Sequence, residues 1–554
     1  MKELLRRLKL QPILSGEAGL ASLFANILAL ATPLFVIQVL NRYIVHGVDS
    51  TLVTLTTGVV LAIGLELAFR QVRMRLLRAI NTGPDAAIAE AGFAVLVRAK
   101  AGTLERIPLG RRRQIINATS GIEKAFGAAN IATVFDVPFS LLFIAVLYMI
   151  NPMLATVVLV FLVAIFTLGA LGGLSAHNNT REMIRTGGIG NSLIATTTGE
   201  VETVRVFNSS GFLMRAWQTH TKAIQDLRLL MERRQTVVQN LTQSGMALMS
   251  VFVVSIGAIL VVAGELDVGG MIGANILAAR ALMPISKFSQ LGPTFSEAVQ
   301  NMVLLKEFSQ LPLEMESGSY KSEYAGGLEL SDLAFAYPGS NTPLFESLSA
   351  TVKPGSILVI CGGNGTGKTT LARLIVGLYE PMRGKILVDG LDLRQSAPEW
   401  WRSQIVYLPQ EPSFLNASVR ENLLTANPDL DDAGITRVIS AVGLANYMDE
   451  SPRGLETMIT DNGANLSLGI RRRLAMARAL ATDGMLVVLD EPTEGLDNEG
   501  IACIHAAIKS LAKRGRSIIV ISHDPKVIKG AHIAVDLNLK PVPRVTERPR
   551  AVEG

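Results

Sequence analysis

Apolar residues gather into six long stretches in the first half of the chain. A helix that crosses a bilayer needs about 20 mostly apolar residues. The stretches that reach or approach this length are Ala18–Val39, Leu52–Phe69, Val137–Ile150, Met153–Leu174, Met246–Gly264 and Met271–Ile285. The third and sixth are short or interrupted, so their ends are less well defined than their existence. The pattern predicts an α-helical transmembrane domain with six spans.

The segments between these spans differ in charge. Asn41–Ser50 carries little positive charge and Glu265–Gly270 is acidic, whereas 70–136 and 175–245 hold most of the arginines of this half. Positively charged segments stay on the cytoplasmic side of a membrane. We therefore expect both arginine-rich segments and both termini to be cytoplasmic. Because those segments are long, polar and helix-prone, they predict helical extensions of the spans beyond the bilayer.

The second half of the chain has a different character. Residues 1–311 form the predicted transmembrane domain, and residues 312–325 are a polar linker. Residues 326–539 predict a soluble α/β domain, and 540–554 a Pro-rich and charged tail that is loosely held. At the other end, Met1–Leu14 places basic residues between leucines, which is typical of a short amphipathic helix on the inner membrane face; a frayed terminus is the alternative.

One glycine-rich stretch has the spacing of a phosphate-binding loop, G-x-x-x-x-G-K-[ST]. Its residues are Gly362, Gly363, Asn364, Gly365, Thr366, Gly367, Lys368 and Thr369. An apolar run at Ser356–Cys361 predicts a buried strand before it, and a helix is expected from Thr370. In this context the backbone N–H groups and the helix N-terminus bind phosphate oxygens. Lys368 reaches the β- and γ-phosphates of a nucleotide, and the Thr369 hydroxyl binds Mg²⁺.

A second phosphate-related motif follows at Met485–Glu491, an apolar run that ends in two acids. A strand that served only a hydrophobic core would not need adjacent carboxylates at its end. Asp490 is placed to hold Mg²⁺, directly or through water. Glu491 is placed to polarise an attacking water as a general base.

Together with these two motifs, further residues make the last 230 or so residues resemble an ATP-binding cassette domain. Tyr337 resembles the aromatic residue that stacks on adenine, and Gln410 the glutamine that contacts Mg²⁺ and signals to the membrane helices. Asp497 lies in a segment that resembles the D-loop, and His523 resembles the switch histidine that contacts the γ-phosphate. Their order relative to the phosphate motifs favours the functional interpretation over ordinary packing positions.

The segment Leu466–Ile470 stands where the family has its LSGGQ signature, and it departs from that pattern. Leu468 replaces the first glycine and Ile470 the glutamine, while Ser467 and Gly469 remain. In the family this segment begins a helix that faces the nucleotide bound by a partner subunit. The resemblance implies that Ser467 and Gly469 still make those contacts and that ATP hydrolysis persists at a reduced rate.

One nucleotide domain and six spans are half of a full transporter. The resemblance therefore implies a homodimer with two composite ATP sites, each gripped by the phosphate loop of one subunit and the Ser467 segment of the other. ATP binding would join the two domains and hydrolysis would release them. The membrane helices would then alternate between inward and outward states.

Motifs in the membrane half extend the resemblance. Phe135–Phe139 and Gly270–Ile285 resemble signatures of the type I protein secretion ATPases, and Pro33 with Gln38–Tyr43 fits the same group. Helix packing is the alternative explanation for these motifs. The resemblance implies a bacterial inner-membrane exporter that works with a periplasmic adaptor and an outer-membrane channel. Its cargo would be an unfolded protein, such as an RTX-type toxin, protease or adhesin. The N-terminal peptidase-like domain of some members is expected to be absent, since the first span begins by about Ala18.

Composition agrees with a membrane protein and limits the alternatives. Hydrophobic residues make up 49% of the 554 residues and charged residues only 18%, against roughly 25% in soluble domains. The net charge of +5 is modest and the lysines and arginines cluster. The basic residues therefore indicate membrane topology, and no nucleic-acid partner is expected. An exporter of lipid, peptide or small molecules on the same architecture remains open. A non-transporting cassette ATPase is disfavoured by the six spans.

Overall fold

The fold was analysed in a computed structural model, which describes residues 2–175, 177–340, 342–524, 527–528 and 530–547. The chain separates into two compact units. The first comprises Met1–Ala99 and Thr103–Leu311, and the second comprises Lys100–Gly102 and Pro312–Gly554. We describe each unit by itself.

The first unit has no strand among its described residues, and a short π-helix, Val39–Tyr43, joins two of its α-helices. Its helices are α1 (Lys2–Leu10), α2 (Pro12–Leu28), α3 (Ala31–Gln38), α4 (Ile44–His46), α5 (Asp49–Arg98), α6 (Ala101–Leu104, which begins among the residues assigned to the second unit), α7 (Leu109–Ala125), α8 (Ala128–Asp136), α9 (Ser140–Ile150), α10 (Pro152–Ser175), α11 (His177–Gly199), α12 (Val201–Val206), α13 (Ser210–Val262), α14 (Val268–Ser289) and α15 (Gly292–Ser309).

Six helical stretches in the described chain are long and apolar enough to cross a membrane, which confirms the six predicted spans. They are Pro12–His46, Asp49–Arg98, Leu109–Ile150, Pro152–Ala170, Ser210–Val262 and Val268–Ser309. Several of these exceed the predicted apolar runs by far. Helix α5 has 50 residues and α13 has 53, so each is about 75–80 Å long at 1.5 Å per residue. A bilayer core of about 30 Å therefore accounts for less than half of either helix.

A polar network is buried among three helices of this unit. The Arg73 guanidinium on α5 lies 2.6 Å from Asp136 Oδ1 at the end of α8, and Asn26 Nδ2 on α2 donates to the same oxygen at 3.0 Å. Arg73 and Asn26 are each 4% exposed. Asp136 belongs to the predicted Phe135–Phe139 motif. The structure thus gives the motif's acidic residue a helix-joining role, which is the packing explanation left open by the sequence.

Helix α1 is formed, but one of its basic residues does not lie on an exposed polar face. Arg7 is fully buried, 2.8 Å from an oxygen of Asp85 and 3.2 Å from Asn81 Oδ1, with its guanidinium over the Phe126 ring. This differs from the expected amphipathic pattern. A buried guanidinium needs acceptors, and Arg7 finds them in Glu3 on its own helix, 3.3 Å from its Nε, as well as on α5. Arg7 thus joins α1 to α5, so a frayed terminus is not what the structure shows.

The second unit contains two sheets and seven described helices. Its strands are β1 (Leu328–Phe335), β2 (Phe345–Val352), β3 (Ile357–Cys361), β4 (Arg383–Val388), β5 (Leu391–Asp392), β6 (Ile405–Leu408), β7 (Leu486–Asp490), β8 (Ser517–Ile521), β9 (Ile533–Asp536) and β10 (Arg544–Glu547). Its helices are α16 (Lys368–Ile375), α17 (Pro398–Ser403), α18 (Val419–Leu424), α19 (Asp432–Ala441), α20 (Ala445–Glu450), α21 (Leu468–Ala481) and α22 (Asn498–Lys513).

The larger sheet positions the functional loops. Its strand order is β10-β9-β3-β8-β7-β6, and all neighbours are parallel except β10, which runs antiparallel to β9. Ligands bind at the carboxyl ends of parallel strands. The segments that follow β3, β6, β7 and β8 therefore open at one edge. These segments carry the phosphate loop, Gln410, Glu491 and His523.

Continuous apolar runs form this sheet because helices and the smaller sheet cover its faces. Every residue of β7 and β8 is buried, as expected for parallel strands buried on both sides. One core packs β3 and β7 residues against the four-stranded antiparallel sheet β2-β1-β4-β5 and α16. A second core packs the opposite face against α18, α19, α21 and α22.

Both ends of the second unit are more ordered than their composition predicts. In the linker, Glu314 pairs with Arg402 at 2.6 Å and Ser319 bridges to Ser396. The expected loose tail, 540–554, contains β10, whose four residues pair with β9. The last seven residues of that tail lie outside the described residues.

Candidate nucleotide-binding site

The phosphate loop turns between β3 and α16, as its sequence predicts. Gly365 and Gly367 have φ of +73° and +104°, a region that residues with a side chain rarely adopt. A Cβ on Gly367 would also lie 2.6 Å from the Leu344 side chain. Both glycines are thus required by geometry. The turn directs the start of α16, with Lys368 as its first residue, toward the open edge of the sheet.

Lys368 lies at the centre of the loop. Its ammonium group donates to the carbonyl of Gly362 at 2.7 Å and to that of Gly363 at 3.2 Å. It also lies 3.1 Å from His523 Nε2 and 3.9 Å from Glu491 Oε1. The lysine therefore stands between the phosphate loop and two of the residues predicted for catalysis.

Glu491 is held in an unusual backbone conformation. Its φ is +47°, which costs on the order of 1–3 kcal/mol for a residue other than glycine. Its N–H donates to the Ile521 carbonyl at 3.0 Å, which anchors the strained peptide to β8. The Oε1 atom lies 3.3 Å from His523 Nε2. The strain turns the carboxylate of Glu491 away from the strand and into the cavity.

Asp490, one residue earlier, is buried and has no hydrogen-bond partner for either carboxylate oxygen in the described chain. Burial raises the pKa of Asp490 to about 6, and the Thr369 hydroxyl nearby opposes that shift. The Thr369 hydroxyl itself donates to Gln410 Oε1 at 3.2 Å. A buried carboxylate without donors, beside a hydroxyl and an amide oxygen, is a set of hard oxygen ligands that suits Mg²⁺.

These residues surround a cavity of about 500 Å³. It is lined by Tyr337, Leu344, Gly363, Asn364, Gly365, Gly367, Lys368, Thr369, Thr370, Gln410, Glu491, Glu494 and His523. The structure thus brings together most of the predicted site residues from five separate segments. Tyr337, 46% exposed, is fixed by a 2.6 Å hydrogen bond between its hydroxyl and Thr370 Oγ1.

The remaining predicted residues fall into two groups. Gly362, Thr366 and Asp490 do not line the cavity but adjoin residues that do. Thr366 Oγ1 donates to the Gly363 carbonyl at 2.9 Å, and the Gly362 carbonyl accepts from Lys368. Ser467, Gly469 and Asp497 do not line this cavity.

Two residues of that second group begin helices. Ser467 caps α21 and accepts from the Ile470 N–H, and Asp497 caps α22 and accepts from the Gly500 N–H. No neighbouring atom lies within 4 Å of the position that a Cβ would take on Gly469. The start of α21 is therefore open at this residue.

Three residues of the site were not predicted from the sequence. Leu344 and Glu494 line the cavity, and Asn538 Oδ1 accepts from the Gly363 N–H at 2.8 Å. Glu494 begins Glu494–Asp497, the segment that resembles the D-loop, but the resemblance assigned no role to this residue. Asn538 is 175 residues from its partner, and no local pattern marks such a contact.

Comparison with known families agrees with this geometry. A family model described as ABC transporter transmembrane region matches residues 16–285, and a family model described as ABC transporter matches residues 345–494. The chain is an ABC transporter. It is a multi-pass membrane protein that binds ATP and couples ATP hydrolysis to transport, and it has the architecture of an exporter.

The chain also aligns over most of its length with curated proteins. It is 25% identical over 516 residues to the Toxin RTX-I translocation ATP-binding protein of Actinobacillus pleuropneumoniae, covering 93% of this chain and 73% of that protein. It is 25% identical over 520 residues to the Alpha-hemolysin translocation ATP-binding protein HlyB of Escherichia coli, with the same coverage. Both resemblances include the membrane half as well as the ATPase half.

A solved structure shows the same fold. The structure of a bacterial Atm1-family ABC exporter with ATP bound covers 95% of this transporter and 94% of its own chain, with a TM-score of 0.84 and 19% identity. The expected exporter fold, six spans followed by an ATP-binding cassette domain, is thereby confirmed.

Proposed function

We propose that this transporter exports an unfolded protein across the bacterial inner membrane as part of a type I secretion system. The observation that carries the proposal is the similarity, over 93% of the chain, to translocation proteins whose names specify RTX toxin and hemolysin. RTX-type toxins, proteases and adhesins are the substrate class that follows. The nucleotide domain is cytoplasmic, since the arginine-rich segments lie on that side by the positive-inside rule.

In the proposed ATP site, Tyr337 stacks on adenine and the phosphate loop binds the phosphates. The N-terminus of α16, which begins at Lys368, lies at the cavity and favours negative charge there. Lys368 leaves the carbonyls of Gly362 and Gly363 to bind the β- and γ-phosphates. The 3.1 Å approach of Lys368 to His523 supports a role of the histidine at the γ-phosphate.

For hydrolysis, Glu491 accepts a proton from the attacking water. Two observations support that role. The Glu491 carboxylate lies beside His523 and Lys368, and the residue keeps a strained backbone φ while its side chain lines the cavity. Thr369, Gln410 and Asp490 would hold Mg²⁺, which supplies charge neutralisation at the transferring phosphate. The unpartnered oxygens of Asp490 are the structural reason for this assignment.

The proposed assembly is a homodimer. Ser467, Gly469 and Asp497 lie outside the cavity of their own subunit, and the open start of α21 supports their use against the nucleotide of a partner. A periplasmic adaptor and an outer-membrane channel are the further partners that this function requires.

The experiment compares proteins in the medium of cells that carry either the wild type or Glu491→Gln. Under the proposal, one large protein is lost from the medium and accumulates in cells with Glu491→Gln. Glu329→Gln is the matched control, because Glu329 is exposed on β1 away from the cavity. Both variants are quantified in the membrane fraction, and the growth condition must be one in which the wild type secretes.

Identical secreted proteins, with all variants present in the membrane at equal amounts, would contradict protein export. In that case the substrate is a lipid, a peptide or a small molecule. Profiling lipids and small molecules in the same cultures identifies which of them is retained.

A further inference from the structure

Arg472, on the second turn of α21, is a buried arginine that the proposed ATP site does not use. It is 8% exposed. Burying a guanidinium is costly unless acceptors surround it. The position of those acceptors therefore indicates what the side chain is for.

The acceptors of Arg472 come from two segments of the site, the one after β6 and the loop between β7 and α22, and three of them are backbone carbonyls. Its guanidinium donates to the carbonyl of Glu494, and it also lies 3.4 Å from the carbonyl of Glu491. A third carbonyl, that of Gln410, lies 3.4 Å away. The Glu494 carboxylate adds an ion pair at 3.1 Å. One side chain thus joins the ends of β6 and β7 and the loop that leads to α22.

Two of these carbonyls belong to residues with proposed roles at the nucleotide. Gln410 provides a metal ligand, and Glu491 is the general base whose backbone φ is +47°. A guanidinium carries five N–H donors in a rigid fork and reaches several acceptors at once, whereas an ammonium group is a single point charge. Arginine is therefore the residue type that holds these carbonyls together.

A second contact ties the start of the same helix to the same loop. A Cβ added to Gly495 would lie 2.7 Å from Leu468 Cδ2 and 3.9 Å from Arg472 Cζ. Leu468, which departs from the family signature, thus packs in the space that Gly495 leaves. Because Leu468 lies between Ser467 and Gly469, this contact joins the proposed partner-facing residues to the loop after Glu491.

We propose that Arg472 is a positioning residue for ATP hydrolysis, which holds the backbone of Gln410 and Glu491 in register with the start of α21. This inference rests on the proposed catalytic role of Glu491. Losing Arg472 leaves Tyr337 and the phosphate loop, which it does not contact, in place and lets the peptides of Gln410 and Glu491 relax. The catalytic rate should therefore fall while ATP affinity is retained.

The test measures ATPase activity of the purified full-length transporter with Arg472→Gln and Arg472→Lys. We expect kcat to fall roughly 10- to 100-fold in both, as for a displaced catalytic group, with KM for ATP within about threefold of the wild type. Arg473→Gln is the matched control, since Arg473 neighbours Arg472 but donates to the Gly443 carbonyl, outside the cavity. Thermal unfolding of every variant separates a kinetic effect from loss of folding, and Arg472→Lys retains the charge if Arg472→Gln does not fold.

A double variant tests whether Arg472 acts through Glu491. Combining Arg472→Gln with Glu491→Gln should lower the residual rate no further than Glu491→Gln alone, because residues that act as a unit are not additive. Three outcomes would overturn the inference. They are a wild-type kcat in both Arg472 variants, a KM for ATP that rises by the same factor by which kcat falls, and a double variant whose loss of rate equals the product of the two single losses. A Glu491→Gln variant with wild-type kcat would instead overturn the proposed role of Glu491.

Discussion

At the scale of single residues, Asp490 combines burial with a proposed role as a cation ligand. Its carboxylate is 1% exposed, and its pKa is raised to about 6 because burial disfavours the charged form. Between the ordinary pKa of 3.8 and about 6, the folded state binds more protons than the unfolded state. This group therefore makes the metal-free protein less stable as pH rises through that interval. A bound cation would remove the penalty.

The prediction concerns stabilisation by Mg²⁺ together with a non-hydrolysable ATP analogue. The unfolding temperature of the wild type should rise more when both are added at pH 7.5 than when both are added at pH 5, because Asp490 must lose its proton to bind the cation. Asp490→Asn should lose most of this Mg²⁺-dependent rise at pH 7.5. Asp429→Asn, at an exposed position, serves as the control. Equal Mg²⁺ effects at both pH values in the wild type would contradict the assignment.

Gly495 and Leu468 allow a second prediction at this scale. Gly495→Ala places a Cβ 2.7 Å from Leu468 at a φ of +67°, so it combines a steric conflict with backbone strain. We expect it to destabilise the protein by about 1–3 kcal/mol. Adding Leu468→Gly to the same chain should recover the part of the stability lost to the steric conflict, but not the part lost to backbone strain at residue 495.

The measurement is thermal or denaturant unfolding of the two single variants and the double variant. Full additivity of Gly495→Ala and Leu468→Gly would show that the two residues do not interact. Gly515→Ala provides the matched control. Gly515 has a similar φ of +74°, and no atom lies within 4 Å of its Cβ position.

At the scale of elements, the sequence predicted the features that depend on neighbouring residues along the chain. The six spans follow from runs of apolar residues, and the phosphate loop follows from glycines whose spacing sets the turn. The contacts that carry the site could not be predicted in the same way. Arg472 and Gln410 are 62 residues apart, and Gly363 and Asn538 are 175 apart, so their meeting depends on the sheet order. Likewise the strand β10 was missed, because its charged sequence gains its order only by pairing with β9.

The network of Arg73, Asp136 and Asn26 is an element-scale contact that can be tested. Asp136→Ala leaves the buried Arg73 guanidinium without its counter-charge, which typically costs about 3–5 kcal/mol. We expect a marked fall in the unfolding temperature and in the amount of protein in the membrane. Arg73→Met with Asp136→Leu should recover much of that loss, because neither charge then remains buried.

Glu66→Ala is the comparison for this network. It removes the 13%-exposed partner of Arg70 on the same helix and leaves a guanidinium that is 38% exposed, so it should cost less than Asp136→Ala, which strands a buried guanidinium. If Asp136→Ala were as stable as Glu66→Ala, the network would not be a helix-joining element. The Phe135–Phe139 motif would then need a functional explanation.

At the scale of the whole molecule, the division of the predicted site residues constrains the assembly. Lys368 lines the cavity, whereas Ser467 does not. In a homodimer with composite sites, each site takes Lys368 from one subunit and Ser467 from the other. A single subunit working alone would need both residues in the same chain.

Mixed dimers with two different affinity tags distinguish these possibilities. When Lys368→Ala and Ser467→Arg are carried by different chains, both changes fall in one composite site and the other site stays intact. When one chain carries both and its partner is wild type, each site loses one residue. We expect ATPase activity in the first dimer and nearly none in the second. If each subunit formed its own site, the second dimer would be the active one, because its wild-type chain would keep a complete site.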